Sequence, residues 1–326
     1  MPVAARYRNP DRARGLVQLA TSFLPYIVLW MAMVWSLRVG YWLTLLLSIP
    51  TAGFLIRIFI IQHDCGHGSF LKSRKAMDWI GSLAGVLTLV PYDDWRRSHA
   101  IHHAGAGRLS DRGVGDIHTW TVREYRSRGW FARLRYRIYR NPLVMFGVGP
   151  LVLFGIMYRF PDFGRMRRPR EVAGVLTTNA ALGGLVVLVG ELIGFRNLAM
   201  VQVPISLLAC TAGVWLFYVQ HQFEGTYWSD GEEWNYTSAA LRGSSYYQLP
   251  RVLQWFCGNI GFHHIHHLSP RIPSYHLERC HAENPMFQDV PTLTLRSSLA
   301  TVTLALWDEE QRRMVSFGDL RRRRAA

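Results

Sequence analysis

Apolar residues are gathered into a few long runs along this chain, and charged residues fill the segments between them. Residues 16–37 (LVQLATSFLPYIVLWMAMVWSL) and 41–61 (YWLTLLLSIPTAGFLIRIFII) form a first pair of runs, 172–194 (VAGVLTTNAALGGLVVLVGELIG) and 198–220 (LAMVQVPISLLACTAGVWLFYVQ) a second. As helices rising about 1.5 Å per residue, each is long enough to cross about 30 Å of hydrocarbon. The connections inside the pairs, RVG and FRN, are very short, so each pair reads as a helical hairpin that returns the chain to its starting side. Pro25 and Pro50 predict kinks, since a bilayer helix tolerates proline where neighbours satisfy the freed carbonyls.

Two further stretches, 79–91 (WIGSLAGVLTLVP) and 143–157 (LVMFGVGPLVLFGIM), are shorter and Gly-rich. If 143–157 crossed the membrane, either the arginine-rich loop from Arg96 to Arg140 or the basic segment 159–170 (RFPDFGRMRRPR) would face outward, against the positive-inside tendency. Both stretches therefore read as re-entrant or interfacial. The expectation is a single all-α integral-membrane domain over residues 1–326, with four spans in two hairpins. A polar tail (1–15) and a cap (62–171 and 221–326) then share the cytoplasmic side, and the closing RRRR at 321–324 agrees. No small-residue cleavage site follows the first apolar run, which predicts that it is retained as a span.

Composition fits this arrangement. The chain is 49% hydrophobic, yet its 37 basic against 22 acidic residues leave a formal charge of +15. Nucleic-acid binding would call for a separate basic module, whereas here the arginines flank apolar runs. Lys72 and Lys75 are the only lysines, an arginine bias that suits a GC-rich bacterial genome and hence a bacterial inner membrane. Cys65, Cys210, Cys257 and Cys280 show no CxxC spacing, which argues against a disulfide framework or an iron–sulfur cluster.

Most of the 13 histidines fall in three clusters: His63 and His67 in HDCGH, His99, His102 and His103 in HAIHH, and His263, His264, His266 and His267 in HHIHH. Residues at i, i+3 and i+4 share a helical face, so HxxxH presents two imidazoles and HxxHH three toward a common point. Each cluster lies just beyond an apolar segment, on the side that charge makes cytoplasmic. The boxes supply His63, His67, His99, His102, His103, His263, His266 and His267; one first-row ion uses four to six ligands, so two ions are implied. Imidazole alone leaves the element open among zinc, copper and iron. Two adjacent redox metals can reduce dioxygen and take hydrogen from an unactivated methylene, a reaction beyond amino-acid side chains. A di-zinc hydrolase is the competing use, but no HExxH is present. A metal transporter without redox chemistry would place ligands near the midplane of its spans.

The segments HDCGHGSF (63–70), WRRSHAIHH (95–103) and GNIGFHHIHHLSPRIPSYHL (258–277) resemble the membrane fatty-acid desaturase family, in particular its acyl-lipid Δ12/ω3 branch, over about residues 40 to 285. The resemblance implies two irons held by the box histidines, dioxygen as co-substrate, and a cis double bond placed in a long acyl chain. An additional histidine upstream of the third box joins the ligands in that family, and His221 in YVQHQFEGTYW occupies that position. A hydroxylase or monooxygenase is the related alternative. No HPGG motif is fused to the chain, so a separate ferredoxin or cytochrome b5 donor is expected, and an acidic one suits the arginine-rich face.

Asp64, Asp94 and Glu224 stand beside the boxes as candidates to orient ligating imidazoles, and Asn259 could approach from the turn before the third. Arg271 could meet a lipid phosphate or an acidic carrier, and Trp42 and Tyr218 suit an interfacial belt. His264 falls outside the HxxHH spacing, and His118, His276 and His281 have no partner at helical spacing.

Overall fold

A computed structural model describes residues 2–161 and 168–325. Residues 162–167 of the basic segment 159–170, and the side chains of Arg323 and Arg324 in the closing RRRR, lie outside the described residues. A short α1 (Pro2–Ala5) precedes α2 (Arg12–Ser36), α3 (Tyr41–His67), α4 (Arg74–Leu87) and α5 (Tyr92–Gly105). Next come β1 (Trp120–Thr121), α6 (Val122–Ser127), α7 (Trp130–Tyr139), α8 (Gly149–Gly155), α9 (Pro169–Ile193) and α10 (Phe195–His221). The C-terminal third holds α11 (Tyr236–Arg242), β2 (Tyr246–Gln248), α12 (Arg251–Phe256), α13 (His263–Leu268) and α14 (Ser274–Ala282). It closes with β3 (Thr292–Thr294), α15 (Leu295–Ala300), β4 (Leu304–Asp308), β5 (Arg313–Ser316) and α16 (Phe317–Ala325).

Helices α2, α3, α9 and α10 are long and apolar enough to cross a membrane. Asp11 starts α2 by accepting the Arg14 backbone N–H at 3.1 Å. Tyr26 and Met33 of α2, Leu55 and Ile58 of α3, and Val201 and Ile205 of α10 bury one another in a common core. Polar groups inside it are paired: Trp30 Nε1 donates to Gln202 Oε1 at 3.0 Å, and the Ser36 and Thr44 hydroxyls meet at 2.7 Å. Ser22 and Thr51 return their hydroxyls to carbonyls one turn earlier, Gln18 O and Leu47 O. The outward faces, by contrast, leave Leu24, Val28 and Met31 of α2 and Val187, Leu188 and Leu192 of α9 uncovered by protein. An apolar belt of this kind suits a bilayer better than water.

The helices outrun the apolar runs that predict them. Helix α3 continues beyond residue 61 to His67, and α10 beyond 220 to His221, so histidines ride on the ends of rigid rods. Gly68, at φ 69°, stops α3 in the left-handed conformation, with its N–H turned back to Asp64 O and Cys65 O. Stretch 79–91 falls mostly in the 14-residue α4, after which Leu89 turns the chain at φ 62°. Stretch 143–157 forms a π-type turn (Val144–Val148) and α8; the path from α7 into it bends by 59°.

The chain is mostly helical, as expected, with two small sheets that the hydrophobic pattern does not predict. Strand β4 pairs in parallel with β1 (Trp120↔Leu306) and antiparallel with β5, while β2 pairs in parallel with β3. The first sheet fastens the loop after the second histidine box to the C-terminal segment, around a core of Tyr125, Tyr136, Leu306 and Val315. Nearby, the buried Arg140 donates to Gln222 Oε1 at 2.9 Å and to Leu304 O at 2.7 Å, which ties this region to the end of α10.

Candidate metal centre

Helices α3, α5, α10 and α13 converge on one buried point, and each carries histidine in its last turn. The unsatisfied carbonyls of a helix C-terminus are partly negative, so this convergence favours a cation. His63, His67, His99, His103 and His266 bring one ligand nitrogen each to within 4.8 Å of one another, and His102, His221 and His267 do the same beside them. His263 Nε2 stands 3.0 Å from His221 Nε2 and enlarges this second group to four. The His103 and His267 rings stack across the seam, centroids 4.1 Å apart.

Helical geometry explains the division. In α5 the i, i+4 pair His99 and His103 serves the first group, while His102, rotated about 100° from His103, serves the second. Helix α13 inverts this: His263 and His267 lie with the second group and His266 with the first. The adjacent histidines His102 and His103, and likewise His266 and His267, thus lean to opposite sides of the seam.

Two contacts orient the rings. His221 Nδ1 donates to Gly243 O at 3.1 Å, and His63 Nδ1 lies 3.2 Å from Asp64 Oδ1, so in both the proton belongs on Nδ1 and the Nε2 lone pair is left for the interior. Asp64 is itself held, its Oδ2 accepting Ser274 N–H at 2.7 Å. Trp95 stacks on His99 at 4.5 Å and 18°, and Phe217 covers His102 and His221.

The donor set fits metal ions. Burial first, and neighbouring imidazoles after it, hold His99, His102, His103, His263, His266 and His267 well below the ordinary imidazole range, in the neutral form that ligates. The Nε2 pairs His99/His103, His103/His266, His102/His221 and His221/His263 are 3.0–3.2 Å apart. Two nitrogens bound to one ion at about 2.1 Å and about 90–100° stand about 3.0–3.2 Å apart. The Nε2 atoms of His67 and His267 are buried with no partner among the described residues, which a metal would supply.

All nine sequence-predicted ligand histidines are therefore brought together. His264 turns away into a pocket with Tyr246, His281 and Phe287, where burial, and His281 after it, push it down to about 3. His276 Nδ1 contacts Tyr7 O, and His118 packs on Trp120 and Tyr136. Of the orienting candidates, Asp64 alone contacts a box histidine among the described contacts; Asp94 belongs to neither group, and Glu224 pairs with Arg313 on the surface. Asn259 enters through its backbone, turning the chain at φ 64° ahead of α13, and Arg271 is exposed in the loop after it. Gly243 and Trp95 were not anticipated. A carbonyl leaves no side-chain signal, but Trp95 precedes His99 by four residues and shares its helical face.

The sequence profile described as fatty acid desaturase matches residues 39–293. The chain is 46% identical over 313 residues to a fatty acid desaturase of Bacillus subtilis (strain 168), covering 96% of this chain and 88% of that protein. It is 32% identical over 235 residues to the sn-1 acyl-lipid omega-3 desaturase (ferredoxin) of Synechocystis, covering 68% of this chain and 62% of the relative. To the sn-1 oleoyl-lipid 12-desaturase of the same organism it is 26% identical over 241 residues, covering 71% of this chain and 65% of the relative.

Proposed function

This chain belongs to the fatty acid desaturase family, a family of oxidoreductases, and from that premise we propose that it introduces a cis double bond, Δ12-like, into a long acyl chain carried on a membrane lipid. The observation that carries the reading is the pair of adjacent, buried, all-imidazole groups, whose ligand set suits two iron ions: His63, His67, His99, His103 and His266 for one, His102, His221, His263 and His267 for the other. Bound there, two irons would supply reduction of dioxygen to two waters, with two hydrogens taken from neighbouring methylenes and two further electrons, with two protons, from the external donor and solvent.

The protein's own part is to hold and shield. Asp64 and Gly243 O fix the imidazole protons away from the interior, and Trp95 and Phe217 close its sides against water. In this reading α2/α3 and α9/α10 are hairpins in a bacterial inner membrane. The N-terminal tail, residues 62–171 and residues 221–326 share the cytoplasmic face, where a separate acidic ferredoxin or cytochrome b5 meets the arginine-rich surface.

Expression in a host without polyunsaturated lipids, followed by mass spectrometry of its fatty acids, tests this reading. Wild type is expected to add a double bond and His102→Ala none. New double bonds formed by His102→Ala, an oxygenated product, or purified protein with two zincs and no iron would each overturn it.

A further inference from the structure

Between the first turns of α2, the middle of α3 and the short α12 lies an open groove of about 390 Å³, lined by Arg14, Val17, Gln18, Arg57, Trp255 and Tyr275 among others. That volume is typical of a ligand site. Its rim is apolar: Ala13 and Val17 line it, Val17 60% exposed and on the same face of α2 as the exposed Leu24, Val28 and Met31, and Trp255 of α12 lines it as well. The groove thus opens onto the same apolar surface that the long helices present.

Its interior has the opposite character. Arg57 sits within the apolar run LIRIFII and is only 8% exposed. Its Nη1 donates to Trp255 O and its guanidinium carbon lies 3.9 Å from the Trp255 ring, but its Nε is buried with no partner among the described residues. Gln18, 4% exposed, donates its amide N–H to Ser274 Oγ at 3.3 Å and leaves its amide oxygen with no partner among the described residues. Arg14 adds a second cation, whose carboxylate contact, to Asp11, is 3.9 Å long. A buried guanidinium in an apolar setting is costly unless an anion meets it, and arginine matches phosphate geometry well.

We propose that this groove seats the phosphodiester headgroup of a membrane glycerophospholipid, with phosphate between Arg57 and Arg14, a headgroup hydroxyl or ammonium on Gln18, and the acyl chains along the apolar rim. The assignment deepens the proposed function by naming the class of lipid that carries the acyl chain, and it rests on the reading that the long helices lie in a bilayer. The groove is also wired to the metal centre. Gln18 contacts Ser274, whose N–H holds Asp64 Oδ2, and Asp64 Oδ1 faces His63. A headgroup on Gln18 therefore bears on the element that orients a ligand of the first nitrogen group.

The test titrates the purified full-length protein in detergent with 1-palmitoyl-2-oleoyl-phosphatidylglycerol and counts retained lipid by native mass spectrometry. Dioleoylglycerol serves as the phosphate-free control and sn-glycerol 3-phosphate as the chain-free one. About one phosphatidylglycerol per chain is expected, with neither control competing. Arg57→Gln should weaken retention at least about tenfold and Arg14→Gln about threefold. Val17→Trp, which fills the groove from an exposed position, should abolish it. The last two sites are surface positions, so the test survives if Arg57→Gln misfolds. Equal retention of dioleoylglycerol, or retention unchanged in both Val17→Trp and Arg14→Gln, overturns the proposal. Groove-dependent phosphatidylglycerol binding by a protein that forms no double bonds would support the site and count against the reaction, so the two ideas fail separately.

Discussion

The group of His63, His67, His99, His103 and His266 is held from α3, α5 and α13, whereas that of His102, His221, His263 and His267 is held from α5, α10 and α13. Two helices are shared, and the third differs in how its histidine is steered. In the first group His63 leans on a side chain, Asp64, which Ser274 N–H holds in turn. In the second, His221 leans on a main-chain carbonyl, Gly243 O, from beyond the end of α11. A carboxylate can be removed by one substitution; a carbonyl cannot. The first group is therefore open to graded tuning, and the second is fixed by the path of the backbone.

The largest effects should come from removing ligands, one from each group. His103→Ala and His221→Ala are each expected to drop iron from about two to about one per chain by elemental analysis and to lower product by about 100-fold or more. Two irons and full activity in His221→Ala would remove that residue from the second group and with it the contrast between the groups.

Acid should not distinguish the groups. His99, His103 and His266 of the first and His102, His263 and His267 of the second are all depressed, chiefly by burial. In the unfolded chain these imidazoles take up protons below about pH 6.5 while the folded, metal-free protein resists doing so. Their contribution to stability is thus full above that pH and is lost as pH falls below it, by up to about 1.4 kcal/mol per pH unit for each imidazole. The thermal midpoint of chelator-treated protein should fall steeply below about pH 6.5, and both irons should leave the loaded protein together. Sequential release would mean that one group is better shielded than its burial indicates.

Asp64→Ala is the substitution that should separate them. Loss of a carboxylate behind a ligating histidine costs about 10- to 100-fold in metal affinity or activity. Iron titration should then show one weakened and one normal site, with the helix content by circular dichroism unchanged. Equal weakening of both would show that Ser274 and α14, which also lose their acceptor, matter more than His63.

Much of this was readable from spacing. The i, i+4 pairs and the ends of the apolar runs place the boxes on helices near one face, and the four long helices follow the four runs closely. How the nine histidines divide between two groups was not readable, because it depends on α13 docking against α5 with its pair and its single histidine exchanged. Glu224 shows another limit: it lies three residues after His221, but α10 ends there and the carboxylate swings to Arg313. The small sheets escaped because strands of two to five residues carry no usable period, and Trp120 finds Leu306 across most of the cap.

The smallest effect should come from Thr226, the one other side chain among the described residues that approaches the carbonyl steering His221. Its Oγ1 is 3.5 Å from Gly243 O, at the limit of a hydrogen bond, whereas His221 Nδ1 is at 3.1 Å. Thr226 is fully buried, and Thr226→Val puts a methyl in place of the hydroxyl, which removes its donor and acceptor without opening a large cavity. If the backbone path sets His221, as the comparison with Asp64 holds, the carbonyl stays in place and the imidazole keeps it alone. Iron affinity at the second site should then change by less than about twofold, and stability by about 1 kcal/mol or less. A loss as large as that expected for Asp64→Ala would mean that a side chain tunes the second group as well, and the two groups would differ in their helices but not in how they are held.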